Sequence, residues 1–98
     1  MKFKQNNINI GMIKAGTTKK IIVTPLSKET LKDIVAMESS CGCTKPKIVN
    51  DHILIEYTPG LIPIHLQSVG QYRGNPNVTI HYIDETTEVL YFSAIIKK

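Results

Sequence analysis

The sequence has no tryptophan, a single arginine and only two cysteines, and these shortages exclude several classes of protein. Without further, widely spaced cysteines the chain cannot form the disulfide framework of a small secreted scaffold. No apolar run approaches the roughly 20 residues of a membrane-spanning helix. Residues 1–7 are basic with no apolar stretch behind them, so we expect no signal peptide and a cytoplasmic product. Alanine and leucine together supply only 9 of 98 residues, which argues against a helical bundle.

β-Branched residues are abundant instead. The 15 Ile, 6 Val and 9 Thr make up 30 of the 98 residues, and such side chains favour pleated strands. A hydrophobic content of 42% is high enough to argue against disorder. The length suits one domain over residues 1–98, with a core roughly between residues 8 and 96. We therefore expect a single all-β domain.

Strand-like segments alternate with turn signals along the chain. Apolar runs and alternation predict strands over residues 7–12, 19–24, 32–39, 44–49, 52–57, 78–82 and 88–96. Residues 27–30 are predicted as a loop in preference to a short helix, and residues 61–74 as an irregular apolar segment that covers part of the core. This count and spacing predict a single immunoglobulin-like antiparallel β-sandwich of about seven strands, with a small barrel as the alternative.

One short segment stands out as a signature. The residues Ser40, Cys41, Gly42, Cys43, Thr44 and Pro46 form the pattern S-C-G-C-T-x-P. In this pattern the sequence resembles a bacterial and phage immunoglobulin-like family of unknown function, and residues 10–16 resemble that family's opening strand and turn. The resemblance spans roughly residues 8–96. It implies a hydin-like β-sandwich without an established activity, and similar stand-alone domains are frequent among the structural proteins of tailed bacteriophages.

The two cysteines allow three interpretations. Because Cys41 and Cys43 are separated by one residue, a disulfide between them has difficult geometry and closes a trivial loop, so we expect two reduced thiols. Their two thiolates are candidate ligands for zinc or copper(I), but these metals usually take four donors and no second cysteine pair is present. A catalytic thiol requires a neighbouring base that the sequence does not place beside it. We therefore expect small structural cysteines and no metal or other cofactor.

Two apolar segments are candidates for contact with another protein. The last predicted strand is apolar on both faces, so it is either a central strand or a strand whose outer face meets a partner. The segment before the sixth predicted strand is also apolar. The candidate contact residues are Leu61, Ile62, Ile64, Leu66, Val69, Leu90 and Phe92.

The net charge of +4 comes almost entirely from lysine. Arginine is preferred for bidentate recognition of phosphate and guanine, so nucleic-acid binding is only an alternative here. Its candidate residues are Lys2, Lys4, Lys19, Lys20, Lys97 and Lys98. The preferred hypothesis is a non-enzymatic module of a phage virion, a decoration or connector-associated protein, which binds other subunits or copies of itself. The further alternative is a metal- or thiol-handling protein that uses Cys41 and Cys43.

Overall fold

The computed structural model describes residue 3 and residues 6–27, 29–62, 64–66 and 68–98, with the side chain of Leu66 left aside. These residues form eight β-strands, one short α-helix and one turn of 3-10 helix over Ile64–Leu66. The elements in chain order are β1 (Asn7–Lys14), β2 (Lys19–Val23), α1 (Glu29–Lys32), β3 (Ile34–Ser39), β4 (Thr44–Val49), β5 (His52–Tyr57), β6 (Gln71–Gly74), β7 (Asn77–Tyr82) and β8 (Thr87–Lys97).

The strands form two sheets. The larger sheet has the order β1-β8-β7-β3, and β6 pairs with the second half of β8 beyond the end of β7. The smaller sheet has the order β2-β5-β4. All pairs are antiparallel except β1 with β8, which run parallel. The expectation of an all-β antiparallel sandwich is confirmed, and β1 with β8 is the one parallel pair among the described strands.

The core lies between the two sheets and is built by alternation along the strands. In β5, Ile53, Ile55 and Tyr57 are buried and the residues between them are partly exposed. Val78 and Ile80 of β7 pack against the same cluster from the larger sheet. The β-branched excess therefore supplies the inward-facing positions of both layers.

A β-bulge in β1 keeps its inward-facing side chains aligned with those of the parallel strand β8. The register against β8 shifts between Asn9 and Gly11, and Gly11 has φ of +89°, a conformation that glycine adopts without steric cost. The Asn9 side-chain oxygen accepts a hydrogen bond from the Gly11 amide at 2.9 Å. Ile13 is buried beyond this point, where β1 lies along the end of β8.

Two local predictions are wrong. The helix α1 begins within residues 27–30, predicted as a loop, and ends at Lys32, where the third strand was predicted to begin. Its Thr30 and Leu31 are buried, so contact with the core stabilises a helix whose sequence pattern is weak. The segment 61–74, predicted as irregular, ends in β6, which fills the place beside β8 where β7 is no longer present.

Pro46 lies inside β4 without interrupting it. β4 is an edge strand, so it needs no amide donor on its outer side.

The molecule is elongated, with extents of 47 × 21 × 18 Å. One end carries α1 and the turn between β7 and β8, joined by a hydrogen bond from the Ile83 amide to the Asp33 carbonyl at 2.8 Å. The other end, called here the loop end, carries the β5–β6 connection and the last residues of β1 and β8. There the Gly16 amide donates to the Pro59 carbonyl at 2.9 Å and the Lys98 amide to the Gly70 carbonyl at 3.0 Å.

Candidate functional site

The S-C-G-C-T-x-P motif is the connection between the two sheets. β3 ends at Ser39 in the larger sheet, and β4 begins at Thr44 in the smaller sheet. The Ser40 amide donates to the Asn77 carbonyl at 2.9 Å, and the Ser40 hydroxyl accepts from the Asn77 amide at 2.9 Å. On the other side, the Cys43 carbonyl accepts from the Thr58 amide at 2.8 Å. Hydrogen bonds thus fix the crossing to both layers of the sandwich.

Cys41 and Cys43 form a disulfide. The expectation of two reduced thiols is therefore wrong. The crossing brings the Cα atoms to 5.3 Å, inside the usual range for a disulfide. The spacing argument missed this because it considered only the separation of one residue and the small loop, and not the turn between the sheets that brings the two side chains together.

Thr44 is the polar neighbour of both sulfur atoms. Its side chain is buried, with 2% of its surface exposed, and its hydroxyl oxygen lies 3.7 Å from the Sγ atom of Cys41 and 3.7 Å from that of Cys43. Its amide donates to the Cys41 carbonyl at 3.2 Å. The motif threonine therefore has a direct contact with the disulfide, which the sequence alone did not assign.

A cavity of about 250 Å³ opens beside the disulfide. Tyr57 and Tyr72 line it from the smaller and larger sheet, and Tyr72 donates a hydrogen bond to the Gly60 carbonyl at 3.0 Å. Burial raises the pKa of the Tyr57 hydroxyl, and the neighbouring Tyr72 adds to this effect. The described residues that line it are Ser40, Cys41, Cys43, Tyr57, Pro59, Gly60, Tyr72, Gly74, Asn75 and Pro76.

The candidate metal donors do not come together among the residues that the structure describes. No group of three or more His, Cys, Asp and Glu side chains there is placed to hold an ion. His52 lies 3.3 Å from a carboxylate oxygen of Asp51, and His81 lies 2.6 Å from one of Glu38. The sulfur atoms of Cys41 and Cys43 are joined to each other in this form, so neither is a thiolate ligand.

The candidate contact residues separate into exposed and buried groups. Leu61, Ile64 and Val69 are 83%, 87% and 64% exposed. Ile62 is buried and holds the connection to the domain, and the side chain of Leu66 lies outside the described residues. A second cavity, of about 310 Å³, lies at the loop end and is lined by Lys14, Ala15, Leu61, Ile62 and Lys98.

Leu90 and Phe92 are not available for contact. Both are buried in the core between the sheets, at 0% and 3% exposure, so their assignment to a contact surface is wrong. Apolar residues occupy both faces of β8 because it is a central strand, paired with β1 on one side and with β7 and β6 on the other. On the outward face Val89, Ser93 and Ile95 are half-buried, and Tyr91 is half exposed.

Three lysines lie on the outer face of the smaller sheet, of which Lys20 was a candidate nucleic-acid contact and Lys45 and Lys47 were missed by the sequence reading. Lys20 of β2 and Lys45 of β4 are both paired with Glu56 of β5, and Lys47 reaches the Glu56 carboxylate at 3.1 Å. The hydrogen bond from Lys47, its charge, and the charges of Lys20 and Lys45 lower the pKa of Glu56. Lys2 and Lys4, which were among the candidate nucleic-acid contacts, lie outside the described residues.

Comparison with solved structures identifies the architecture. The titin M3 domain matches with a TM-score of 0.58 at 9% sequence identity, over 98% of this chain and 95% of that one. The fold is immunoglobulin-like. An endo-fucoidan hydrolase from glycoside hydrolase family 107 contains a similar region, with a TM-score of 0.58 at 7% identity, over 97% of this chain and 13% of the hydrolase.

These likenesses concern the fold. No family model and no curated protein matches the sequence. The immunoglobulin-like part of the sequence prediction is confirmed, and the bacterial and phage family remains a prediction based on the motif. Among the residues that the structure describes, no helix is long and apolar enough to cross a membrane.

Proposed function

We propose that this chain is a non-enzymatic structural module that acts by protein–protein contact, as a small component of a bacteriophage virion. In this proposal it is made in the cytoplasm of the host bacterium and joins the particle as a decoration or connector-associated protein. Its partners are other subunits of the shell or tail, including copies of itself. The observation that carries the proposal is the exposure of Leu61, Ile64 and Val69 at one end of an elongated domain.

The β5–β6 connection is well suited to contact because it is held in place before binding. Ile62 is buried beneath it, the Tyr72 hydroxyl donates to the Gly60 carbonyl, and the Lys98 amide donates to the Gly70 carbonyl. Described residues anchored in this way lose less conformational entropy when a partner covers the apolar side chains beside them. Burying a fully exposed Leu or Ile stabilises a complex by about 1.5–3 kcal/mol per side chain.

The residues around the connection favour a partner that carries acidic groups beside an apolar surface. Lys14 and Lys98 line the same cavity as Leu61, so cationic groups lie beside the apolar contact residue. Complementary charges at the rim of an interface orient the partner and raise the association rate. The phage assignment itself rests on the resemblance to the immunoglobulin-like family that carries this motif, together with the frequency of similar stand-alone domains among the structural proteins of tailed bacteriophages.

The decisive experiment is mass spectrometry of purified particles from the phage that carries the gene. We expect the protein in the particle at a fixed copy number relative to the shell protein. Its absence from intact particles overturns the virion assignment.

The contact surface is tested in the same particles with a paired variant. Leu61→Ser with Ile64→Ser removes exposed apolar contacts without touching the core, so we expect a folded protein that is lost from the particle. The matched control is Leu26→Ser with Ile83→Ser, which changes two similarly exposed apolar residues, 65% and 70% exposed, away from the loop end. Equal incorporation of both variants contradicts contact through the β5–β6 connection.

A further inference from the structure

The disulfide between Cys41 and Cys43 contributes little to holding the fold together. It encloses a single residue, and the stabilisation that a cross-link gives by restricting the unfolded chain decreases as the enclosed loop becomes shorter. The crossing is already fixed by backbone hydrogen bonds from Ser40 to Asn77 and from Thr58 to Cys43. The coupling between folding and the disulfide is reciprocal. Because the bond stabilises the folded state little, the folded state also protects the bond little against reduction.

The two sulfur atoms have different surroundings. Cys43 packs against the core cluster of Ile13, Tyr57, Ala94 and Ile96, whereas Cys41 is not part of either core cluster. The turn residue between them, Gly42, is exposed, and a methyl group added to it would meet nothing within 4 Å. Both cysteines line the cavity of about 250 Å³. Both side chains are half-buried, so the packing of Cys43 against the core, and not a difference in exposure, is the reason to assign Cys41 as the sulfur that an incoming group reaches.

We propose that Cys41 and Cys43 form a reversible thiol–disulfide exchange site whose reaction partner is a dithiol. A thiolate of the dithiol attacks the Sγ atom of Cys41, a new S–S bond forms, and the Cys41–Cys43 bond breaks with its electron pair leaving on Cys43. This mixed disulfide joins Cys41 to one sulfur atom of the dithiol. The second thiolate of the dithiol then attacks that sulfur atom, and Cys41 leaves as a thiolate. The dithiol loses two electrons and becomes a disulfide, and the two cysteines gain them and take up protons from water.

Thr44 acts as a positioning residue for this exchange. Its hydroxyl oxygen lies 3.7 Å from the sulfur of Cys43, in a buried position, and it can donate a hydrogen bond to the thiolate that leaves. A hydrogen bond to a developing charge favours the charged form, so it makes Cys43 a better leaving group. The same hydroxyl lies 3.7 Å from Cys41 and serves the reverse reaction.

The site is tested with the whole chain in glutathione buffers of graded ratio, with the thiols trapped by alkylation and counted by intact mass. We expect the pair to pass between disulfide and dithiol reversibly while the circular dichroism spectrum stays that of the folded protein. A disulfide that opens only when the protein is unfolded, or a reduced form that unfolds, overturns the proposal. Dithiothreitol and a short two-cysteine peptide serve as separate reductants: opening by both shows a site open to protein segments, and opening by dithiothreitol alone restricts the partner to small dithiols.

Single variants test the asymmetry and the role of Thr44. The free Cys41 of Cys43→Ser is expected to react with an alkylating agent about tenfold faster than the free Cys43 of Cys41→Ser. Thr44→Val is expected to slow the opening of the disulfide by dithiothreitol about fivefold, and Thr44→Ser to restore the rate because it keeps the hydroxyl. Equal alkylation rates contradict the assigned point of attack, and an unchanged rate in Thr44→Val contradicts the positioning role. None of these readouts depends on particle assembly, so they fail or succeed separately from the proposed function.

Discussion

At the scale of single residues, Gly74 is required by close packing. A Cβ atom at this position would collide with the hydroxyl oxygen of Tyr57 and would lie 2.7 Å from the Cδ1 atom of Ile96. Both neighbours are buried, at 3% and 0% exposure, so neither side chain can move away freely. β6 therefore approaches the smaller sheet at a point where only glycine fits.

We expect Gly74→Ala to lower the free energy of unfolding by about 1–3 kcal/mol, since the added methyl group collides with the buried side chains of Tyr57 and Ile96. Urea denaturation followed by circular dichroism measures this loss. The matched control is Gly60→Ala, where an added Cβ atom meets nothing within 4 Å. A loss of equal size in both variants would show that the effect comes from glycine removal in general and not from the contact with Tyr57.

Tyr82 gives the protein a dependence on alkaline pH. Burial raises the pKa of its hydroxyl above the ordinary value of 10.0, and the charge of Glu88 and the hydrogen bond to it, 3.1 Å long, act in the same direction. The folded state thus keeps the proton that the unfolded state loses above about pH 10. This contribution to stability is complete below pH 10 and is lost as the pH rises from there towards the folded-state pKa.

We expect Tyr82→Phe to make the decline of unfolding free energy between pH 9 and pH 11 shallower than in the native protein, while it costs about 1 kcal/mol at pH 7 through the lost hydrogen bond. Urea titrations at several pH values measure both effects. Glu88→Gln removes one cause of the raised pKa and is expected to give an intermediate slope. An identical alkaline slope in Tyr82→Phe refutes the assignment.

At the scale of elements, β8 shows how a central strand distributes its side chains. Phe92 faces the core at 3% exposure, and its neighbour Tyr91 faces outward at 50%. We expect Phe92→Ala to cost about 3–5 kcal/mol of unfolding free energy, because it leaves a cavity between the sheets. Tyr91→Ala, the control on the same strand, is expected to cost less than about 1 kcal/mol. Thermal unfolding of the two variants measures the difference, and similar losses would contradict the alternation.

The elements also show how far sequence reasoning reaches. Alternation predicts β5 and β7 well because their inward positions are β-branched or aromatic. The spacing of the turns is sufficient to predict that the strands form a sandwich. It does not predict β6, a four-residue strand with glycine at its end, which exists because β8 offers an unpaired edge. It also places Leu90 and Phe92 on a contact surface, since a strand apolar on both faces does not reveal which face is covered.

The disulfide escapes prediction for a related reason. The separation of Cys41 and Cys43 in the sequence is fixed, but the distance between their side chains depends on the turn by which the chain leaves one sheet for the other. The motif was recognisable from its residues, and Thr44 was part of it. Its contact with both sulfur atoms follows from the crossing, which no local pattern encodes.

At the scale of the whole molecule, the elongated shape separates three surfaces. The exposed apolar side chains of the β5–β6 connection lie at the loop end, and the disulfide lies at the crossing, beside the place where β3 ends and β7 begins. Lys20, Lys45 and Lys47 lie on the outer face of the smaller sheet. Docking of a partner through the loop end leaves this lysine face exposed, so its positive charge could attract a second, anionic partner.

The lysine face is expected to bind nucleic acid only weakly. Three lysines correspond to at most about three phosphate contacts, and Glu56 lies among them with a carboxylate that Lys47 already binds. The logarithm of the binding constant should therefore fall with the logarithm of salt concentration with a slope of about −2.7 or smaller in magnitude, and binding to duplex DNA should be lost near physiological salt. Fluorescence anisotropy with a labelled duplex at graded salt measures the slope.

A triple variant of the lysine face should abolish the residual binding; it combines Lys20→Gln, Lys45→Gln and Lys47→Gln. The control variant, Lys97→Gln with Lys98→Gln, should leave most of the binding. Binding that persists at physiological salt and depends on the three lysines would favour a nucleic-acid partner over the protein contact proposed for the loop end.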